Sequence, residues 1–252
     1  MKTAIITGAS TGLGREFVRR LADVFPEVEC CWLIARRTEQ LQETAALLSG
    51  KRVECISLDL CDPASFAVLQ DKLATEKPEV SILVNNAGCG YLGNVGEVDT
   101  ASQTRMIDLN LRALTAVTNL VLPYMGRGSR ILNVSSIASF CPNPRMAVYS
   151  ATKAFVSSFT VGISEELKPR GITATAVCPG PMQTEFLDVG NITGNSKMFR
   201  MLPYCNQEQV AGGALRAAKA GCTIYTPKLF YKFYRVLAKI VPVKLMVKFT
   251  KT

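Results

Sequence analysis

Apolar residues fall into short runs separated by stretches with helical spacing. Lys2–Thr7 is an apolar run that ends in glycines. Phe17, Val18, Leu21 and Val24 then recur at the interval of one helix face. Cys30–Ala35, Val53–Leu58, Ser81–Val84, Arg130–Val134, Ile172–Val177 and Cys222–Tyr225 are further strand-like runs. Between them lie helical patterns. Leu41, Ala45 and Leu48 mark one. Phe66, Leu69 and Leu73 mark a second, with Asp62 as cap and Pro63 at its start. Long helices are expected over Ala101–Met125 and Val148–Leu167, the latter closed by Pro169 and Gly171. A loop-rich stretch, Pro179–Cys205, precedes a helix over Gln207–Lys219. Regular alternation of strand and helix predicts an α/β fold: a doubly wound parallel sheet between two helical layers. There is no internal repeat, low-complexity tract or linker, so residues 1–252 read as a single domain.

Composition narrows the chemistry. The 252 residues are 48% hydrophobic and 19% charged, as expected of a globular chain. No apolar run reaches the ~20 residues that span a bilayer, and the N-terminus lacks the features of a secretory signal. Nine cysteines without a C-x-x-C pair read as reduced thiols in a cytoplasmic protein. Histidine is absent. That excludes Ser-His-Asp and Cys-His hydrolases, makes a zinc site improbable, and leaves proton transfer to Tyr, Lys, Cys, Asp or Glu.

The net charge of +9 sits at one end. No acid follows Glu208, whereas nine bases do; residues 1–208 balance 20 bases against 20 acids. In the basic extension, 228–252, Lys228, Lys232, Arg235 and Lys239 are interleaved with Phe233, Leu237, Ile240 and Val241. After Pro242 come Lys244, Lys248 and Lys251 with Leu245, Met246 and Phe249. Two short amphipathic helices are expected. Three roles stay open: covering a pocket or subunit interface, resting on an anionic membrane, or standing in solvent. Nucleic-acid binding is disfavoured, because the rest of the chain is neutral and no reading element is present.

The glycine turn carries the first chemical signal. Thr7-Gly8-Ala9-Ser10-Thr11-Gly12-Leu13-Gly14 lies between the first strand and first helix, where a backbone can approach a pyrophosphate at a helix N-terminus. Alone it could be a mere turn; after strand one and before a helix it points to a dinucleotide. Tyr149 and Lys153 share one helix face, and a nearby ammonium favours ionisation of a phenol that otherwise titrates near ~10.

The T-G-x-x-x-G-x-G spacing resembles the fingerprint of the short-chain dehydrogenase/reductase family. Asn85-Asn86-Ala87-Gly88, Asn110, Ser136, Tyr149-x-x-x-Lys153 and Pro179-Gly180 with Thr184 match the family's other motifs in order. The resemblance implies hydride transfer between NAD(P)(H) and a carbonyl or secondary alcohol. Tyr149 would be the acid/base. Lys153 would hold the nicotinamide ribose, Ser136 would position the substrate oxygen, and Asn110 would organise a helix kink and a water leading to Lys153. Cofactor contacts are expected from Gly8, Ser10, Thr11, Gly12, Leu13, Gly14, Asp59, Leu60, Asn86, Ala87, Gly88, Tyr149, Lys153, Pro179, Gly180, Met182 and Thr184. Asp59 resembles the residue that meets the adenine amino group.

At the end of strand two, Arg36 and Arg37 stand where NAD-preferring members carry an acid. NADP is therefore expected over NAD, the alternative being solvated loop charges. Ser10-Thr11 departs from those NADP-using relatives that carry a basic residue in the glycine loop. The pocket is expected from Cys89–Gly93, Ile137–Met146 and Met182–Tyr204. Met182, Phe186, Leu187, Met198, Phe199, Met201 and Leu202 would form either a lid for a steroid- or lipid-like substrate or ordinary loop packing. The resemblance also implies a homodimer, or a tetramer of dimers, through the two long helices, with Phe155, Val156, Phe159 and Ile163 as surplus apolar surface. A cofactor-binding regulatory protein and a membrane-bound scaffold are the rival readings.

Overall fold

The computed structural model describes residues 1–190, 192 and 202–250. Seven parallel strands form one sheet: β1 Lys2–Thr7, β2 Cys30–Ala35, β3 Arg52–Ser57, β4 Glu79–Asn85, β5 Arg130–Val134, β6 Thr173–Val177 and β7 Ile224–Tyr225. Their order is β3-β2-β1-β4-β5-β6-β7. The chain winds outward one way from β1 and the other way from β4, so a topological switch point lies between them. The register pairs Ile6 with Leu33 on one side and with Val84 on the other.

Both faces of the sheet are covered, which is why its inner strands are continuously apolar. Ala4, Ile6 and Leu33 enter one core with Phe17, Leu21 and Leu215. Ile5, Trp32 and Ile34 point the other way, toward Leu69, Leu73, Val117 and Ile163. The first face carries α1 Gly12–Val24 and α8 Gln207–Lys219. The second carries α3 Ala64–Glu76, α5 Leu114–Val121 and α6 Ala147–Glu166. α2 Thr38–Ala45 flanks β2 and β3. This is the doubly wound, three-layer α/β fold expected from the alternation.

The expected long helix over Ala101–Met125 is not uniform. It divides into α4 Thr100–Ile107, a π turn Asp108–Ala113, α5, and a 3-10 turn Leu122–Tyr124 enforced by Pro123. Asn110 sits inside the π turn. Helix α6 ends through a 3-10 turn and the left-handed Gly171, φ +68°. Val156 and Ile163 of α6 are buried in this chain's own cores rather than surplus. Phe155 and Val161 remain exposed, and Phe155 stacks on Phe159 at 5.7 Å.

The C-terminal segment forms two helices broken at Pro242: α9 Leu229–Ile240 and α10 Val243–Phe249. Tyr231 is fully buried, and its hydroxyl donates to the Pro203 carbonyl at 2.9 Å. Its ring fills the space above Gly180, where a Cβ would come within 2.2 Å of it. The segment is thus anchored to the end of β6. Lys251, and the loop residues Met198, Phe199 and Met201, lie outside the described residues.

Gly14 is the tightest contact of α1. A Cβ there would stand 2.0 Å from the Gly8 carbonyl oxygen and 2.6 Å from the Asn86 side-chain nitrogen. Gly14→Ala should therefore cost about 2–3 kcal/mol and lower the melting temperature by roughly 4–12 °C. Gly126→Ala, with open space around it, should leave it nearly unchanged. Calorimetry on both variants checks this; equal melting temperatures would contradict the packing.

Candidate active site

A cavity of about 610 Å³ opens along the C-terminal ends of the strands, across the switch point. One end is built by the glycine turn. Gly8 and Gly12 take φ of +64° and +55°, conformations that disfavour side chains. Thr11 supplies no side-chain cap to α1, and the first turn carries no acid. The helix therefore presents free N–H groups and the positive end of its dipole to the cavity. A dinucleotide pyrophosphate fits that arrangement. Ser10, Thr11, Gly12 and Leu13 line it; Gly14 does not, being packed behind Gly8.

The turn is held by β4. The Thr7 hydroxyl accepts the N–H groups of Asn86 and Ala87, both at 3.1 Å, and donates to the Val84 carbonyl. The Asn86 amide donates to the carbonyls of Thr7 and Gly8. Deeper in, Asn85 donates to Thr118 and Asn133, and Asn133 donates to Thr160. These buried amides fasten β4, β5, α5 and α6 together.

At the far end of β2, Arg36, Arg37, Asp59 and Leu60 line the cavity. Arg37 donates to the Thr11 hydroxyl at 3.0 Å and to Glu185 at 2.8 Å. Burial works against the Asp59 charge. The Cys61 N–H and the Arg105 guanidinium outweigh it and hold the carboxyl below its ordinary range. Arg105, from α4, is a lining residue that no motif points to. Its only sequence signal is a base about one turn before Asn110.

The opposite wall brings Ser136, Tyr149 and Lys153 together. Ser136 lies two residues beyond β5 and caps a 3-10 turn, its hydroxyl accepting the Ala138 N–H at 3.1 Å. It also stands close enough to the Tyr149 phenol to favour its ionised form. Ser135, by contrast, is committed to the Lys153 carbonyl and the Ser157 hydroxyl. Tyr149 is buried. Burial pushes its pKa up to about 12, against the lowering effect of Ser136. Burial also brings Lys153 down to about 8. The Lys153 ammonium donates to the Val134 carbonyl at 2.9 Å and lies 5.7 Å from the Tyr149 ring centre. At neutral pH the group is a protonated phenol facing a mostly protonated amine.

Asn110 lies beneath this wall and does not line the cavity. Its carbonyl oxygen accepts the Cys89 N–H, and its amide donates to the Cys89 carbonyl and to Thr152. That side chain holds the strand-four loop against α6. A Cβ at Gly88 would crowd both Asn110 and Lys153, at 3.0 and 3.4 Å. Ala87, Gly88, Pro179, Gly180, Met182 and Thr184 complete the floor. The remaining walls are mostly apolar, with Ile137, Met146, Phe186 and Leu187 from the body beside the polar Asn143 and Thr250. Phe230, Tyr234, Leu237 and Met246 come from the C-terminal helices.

Comparison with known proteins agrees with this architecture. The family model described as short chain dehydrogenase matches residues 2–191. Sulfoacetaldehyde reductase 2 of Chromohalobacter salexigens is 37% identical over 215 residues, which are 82% of this chain and 84% of that protein. A very-long-chain 3-oxoacyl-CoA reductase of Laccaria bicolor is 35% identical over 179 residues, 68% of this chain and 52% of that protein. The structure of a short-chain dehydrogenase from Sphingobium yanoikuyae in complex with NADPH superposes with a TM-score of 0.80 at 29% identity, covering 96% of this chain and 97% of that one. The chain belongs to the short-chain dehydrogenase/reductase family and is an oxidoreductase of that family.

Proposed function

We propose that residues 1–252 act as one cytoplasmic domain that reduces the carbonyl of an apolar substrate with NADPH. The observation that carries this reading is the convergence of Ser136, Tyr149 and Lys153 on one wall of a cavity whose far end is a helix N-terminus flanked by Arg36 and Arg37. When bound, the reduced nicotinamide supplies the hydride. The Tyr149 phenol, kept protonated by burial, gives its proton to the carbonyl oxygen as the carbon is reduced. The Ser136 hydroxyl positions that oxygen. The Lys153 ammonium stabilises the phenolate left behind and would hold the nicotinamide ribose. Asn110 acts as a positioning residue through Cys89 and Thr152.

Two features define specificity. Arg36 and Arg37 would hold the 2′-phosphate of NADP, Arg37 exchanging its contact with Glu185 for the phosphate. Among the described lining residues, the substrate end carries no Lys or Arg apart from Lys153 and is walled by Met146, Phe186, Leu187, Phe230 and Leu237. That favours an apolar carbonyl over an anionic one such as sulfoacetaldehyde.

Tyr149→Phe should lower reduction of a long-chain aldehyde by roughly 10²–10⁴-fold while leaving NADPH binding within about threefold, a change too small to count as a lost contact. In the wild type, alcohol oxidation should climb as pH rises from neutral, because oxidation needs the phenolate that burial disfavours, and should flatten as Lys153 loses its proton around its lowered pKa of about 8. Activity that survives Tyr149→Phe, or faster turnover of sulfoacetaldehyde, would sink the reading.

Arg36→Ala with Arg37→Ala should weaken NADPH binding roughly 30- to 100-fold and NADH binding little. Fluorescence titration of both cofactors decides it; a wild type that prefers NADH contradicts the assignment.

The exposed Phe155 and Val161, with the stacked Phe159 and Gly162 also on α6, favour pairing of α6 with its copy across a two-fold axis. Light scattering should give a dimer or a tetramer of such dimers. A mass equal to one chain, 27.4 kDa, refutes it.

A further inference from the structure

Helix α9 has two apolar faces, and the body uses only one. Tyr231 points inward, fully buried. On the outer side Leu229, Phe230, Phe233, Val236, Leu237 and Ile240 stand in solvent, Phe233 at 67% and Ile240 at 74% exposure. At the helical repeat these six span an arc of about 120°. Lys228, Lys232, Arg235 and Lys239 run along one border of that arc. The exposed Val243 and Leu245 of α10, with Lys244 and Lys248, continue the pattern. Ordinary solvent-facing helices put polar residues where α9 puts aromatic and branched ones.

We infer that α9 and α10 seat the protein on an anionic lipid bilayer, with the mouth of the cavity turned toward it. Charge selects this occupant. No acid follows Glu208 in the sequence, so α9 laid against its own copy would give Lys232, Arg235 and Lys239 no acid of the segment to meet, and in an antiparallel pairing would set them against like charges. Anionic headgroups satisfy the same cations while the acyl region takes the apolar arc. No described helix is long and apolar enough to cross a membrane, so the contact lies on the surface. Phe230 and Leu237 belong to the outer arc and also line the cavity. A lipid-dissolved carbonyl would therefore enter from the bilayer side. That entry route rests on the reaction proposed above; the docking does not.

Co-sedimentation of the full chain with vesicles tests the docking without turnover. Binding is expected to phosphatidylcholine mixed with phosphatidylglycerol. It should be roughly tenfold weaker to phosphatidylcholine alone, and weakened by salt at about 0.5 M. Phe233→Ser with Ile240→Ser, and separately Lys232→Glu with Lys239→Glu, should each reduce vesicle binding by about tenfold or more. Neither pair lines the cavity, so reduction of a short water-soluble aldehyde should be unchanged and reports that the variants are folded. Absence of vesicle binding, equal binding to neutral vesicles, or folded variants that still sediment would overturn the inference. So would a dimer that the Phe233→Ser, Ile240→Ser variant splits, which would assign the face to a second copy. Vesicle binding by a chain that reduces no aldehyde would retain the docking and reject the reaction.

Discussion

The backbone of Gly8 touches the backbone of α1, and the geometry of the site descends from that contact. No side chain fits between Gly14 and the Gly8 carbonyl, so the first helix starts directly on the end of the first strand. Its free N–H groups then face the crevice that the strand order opens between β1 and β4. Thr7 and Asn86 lock the same junction from the β4 side, using both carbonyls of the turn and two N–H groups of the next loop. The helix N-terminus proposed to hold a pyrophosphate and the floor of the cavity are thus one piece of backbone. Movement of either strand end would disturb both.

A second constraint is electrostatic. Lys153 is nearly excluded from solvent, and its ammonium has the Val134 carbonyl as its hydrogen-bond partner. A buried cation with no acid beside it among the described residues works against folding. Tyr149 beside it resists ionisation for the same reason, burial. In the proposed reaction the two burdens are complementary: a charged lysine would lower the cost of forming phenolate, and phenolate would lower the cost of keeping the lysine charged. A site that moves a proton through the phenol needs both states within reach. Burial sets each residue against its charged form, and the reaction proposed would use their proximity against that.

Much of this was legible in the chain. The strand cores, Cys30–Ala35 above all, are apolar because both sheet faces are covered, and a buried parallel strand leaves that trace in the sequence. The glycine turn and the Tyr149/Lys153 pair are legible because each needs a fixed local spacing. What escaped depends on contacts between distant segments. Arg105 lies 46 residues from the Asp59 it pairs with. The π turn around Asn110 leaves no mark in the hydrophobic period; only the family resemblance points to a kink there. Val156 and Ile163 read as surplus because one helix period cannot tell a partner subunit from the chain's own second core. The Arg37–Glu185 pair joins segments 148 residues apart, so nothing near Arg37 in the sequence marks Glu185 as its partner.

The C-terminal helices show how a single residue decides the use of a surface. Gly180 lacks the Cβ that would collide with Tyr231, so α9 can lie across the end of β6 and close one side of the cavity. Once Tyr231 is seated, the helix period determines what remains outside. Phe233 and Ile240 cannot turn inward without lifting Tyr231 from its hydrogen bond to Pro203. The outer arc is therefore a consequence of the anchoring as well as of composition, and its aromatic and branched content answers to whatever meets the helix from outside. Because Phe230 and Leu237 stand on the boundary between that arc and the cavity, anything that covers the outer face also sets the surroundings of the cavity mouth.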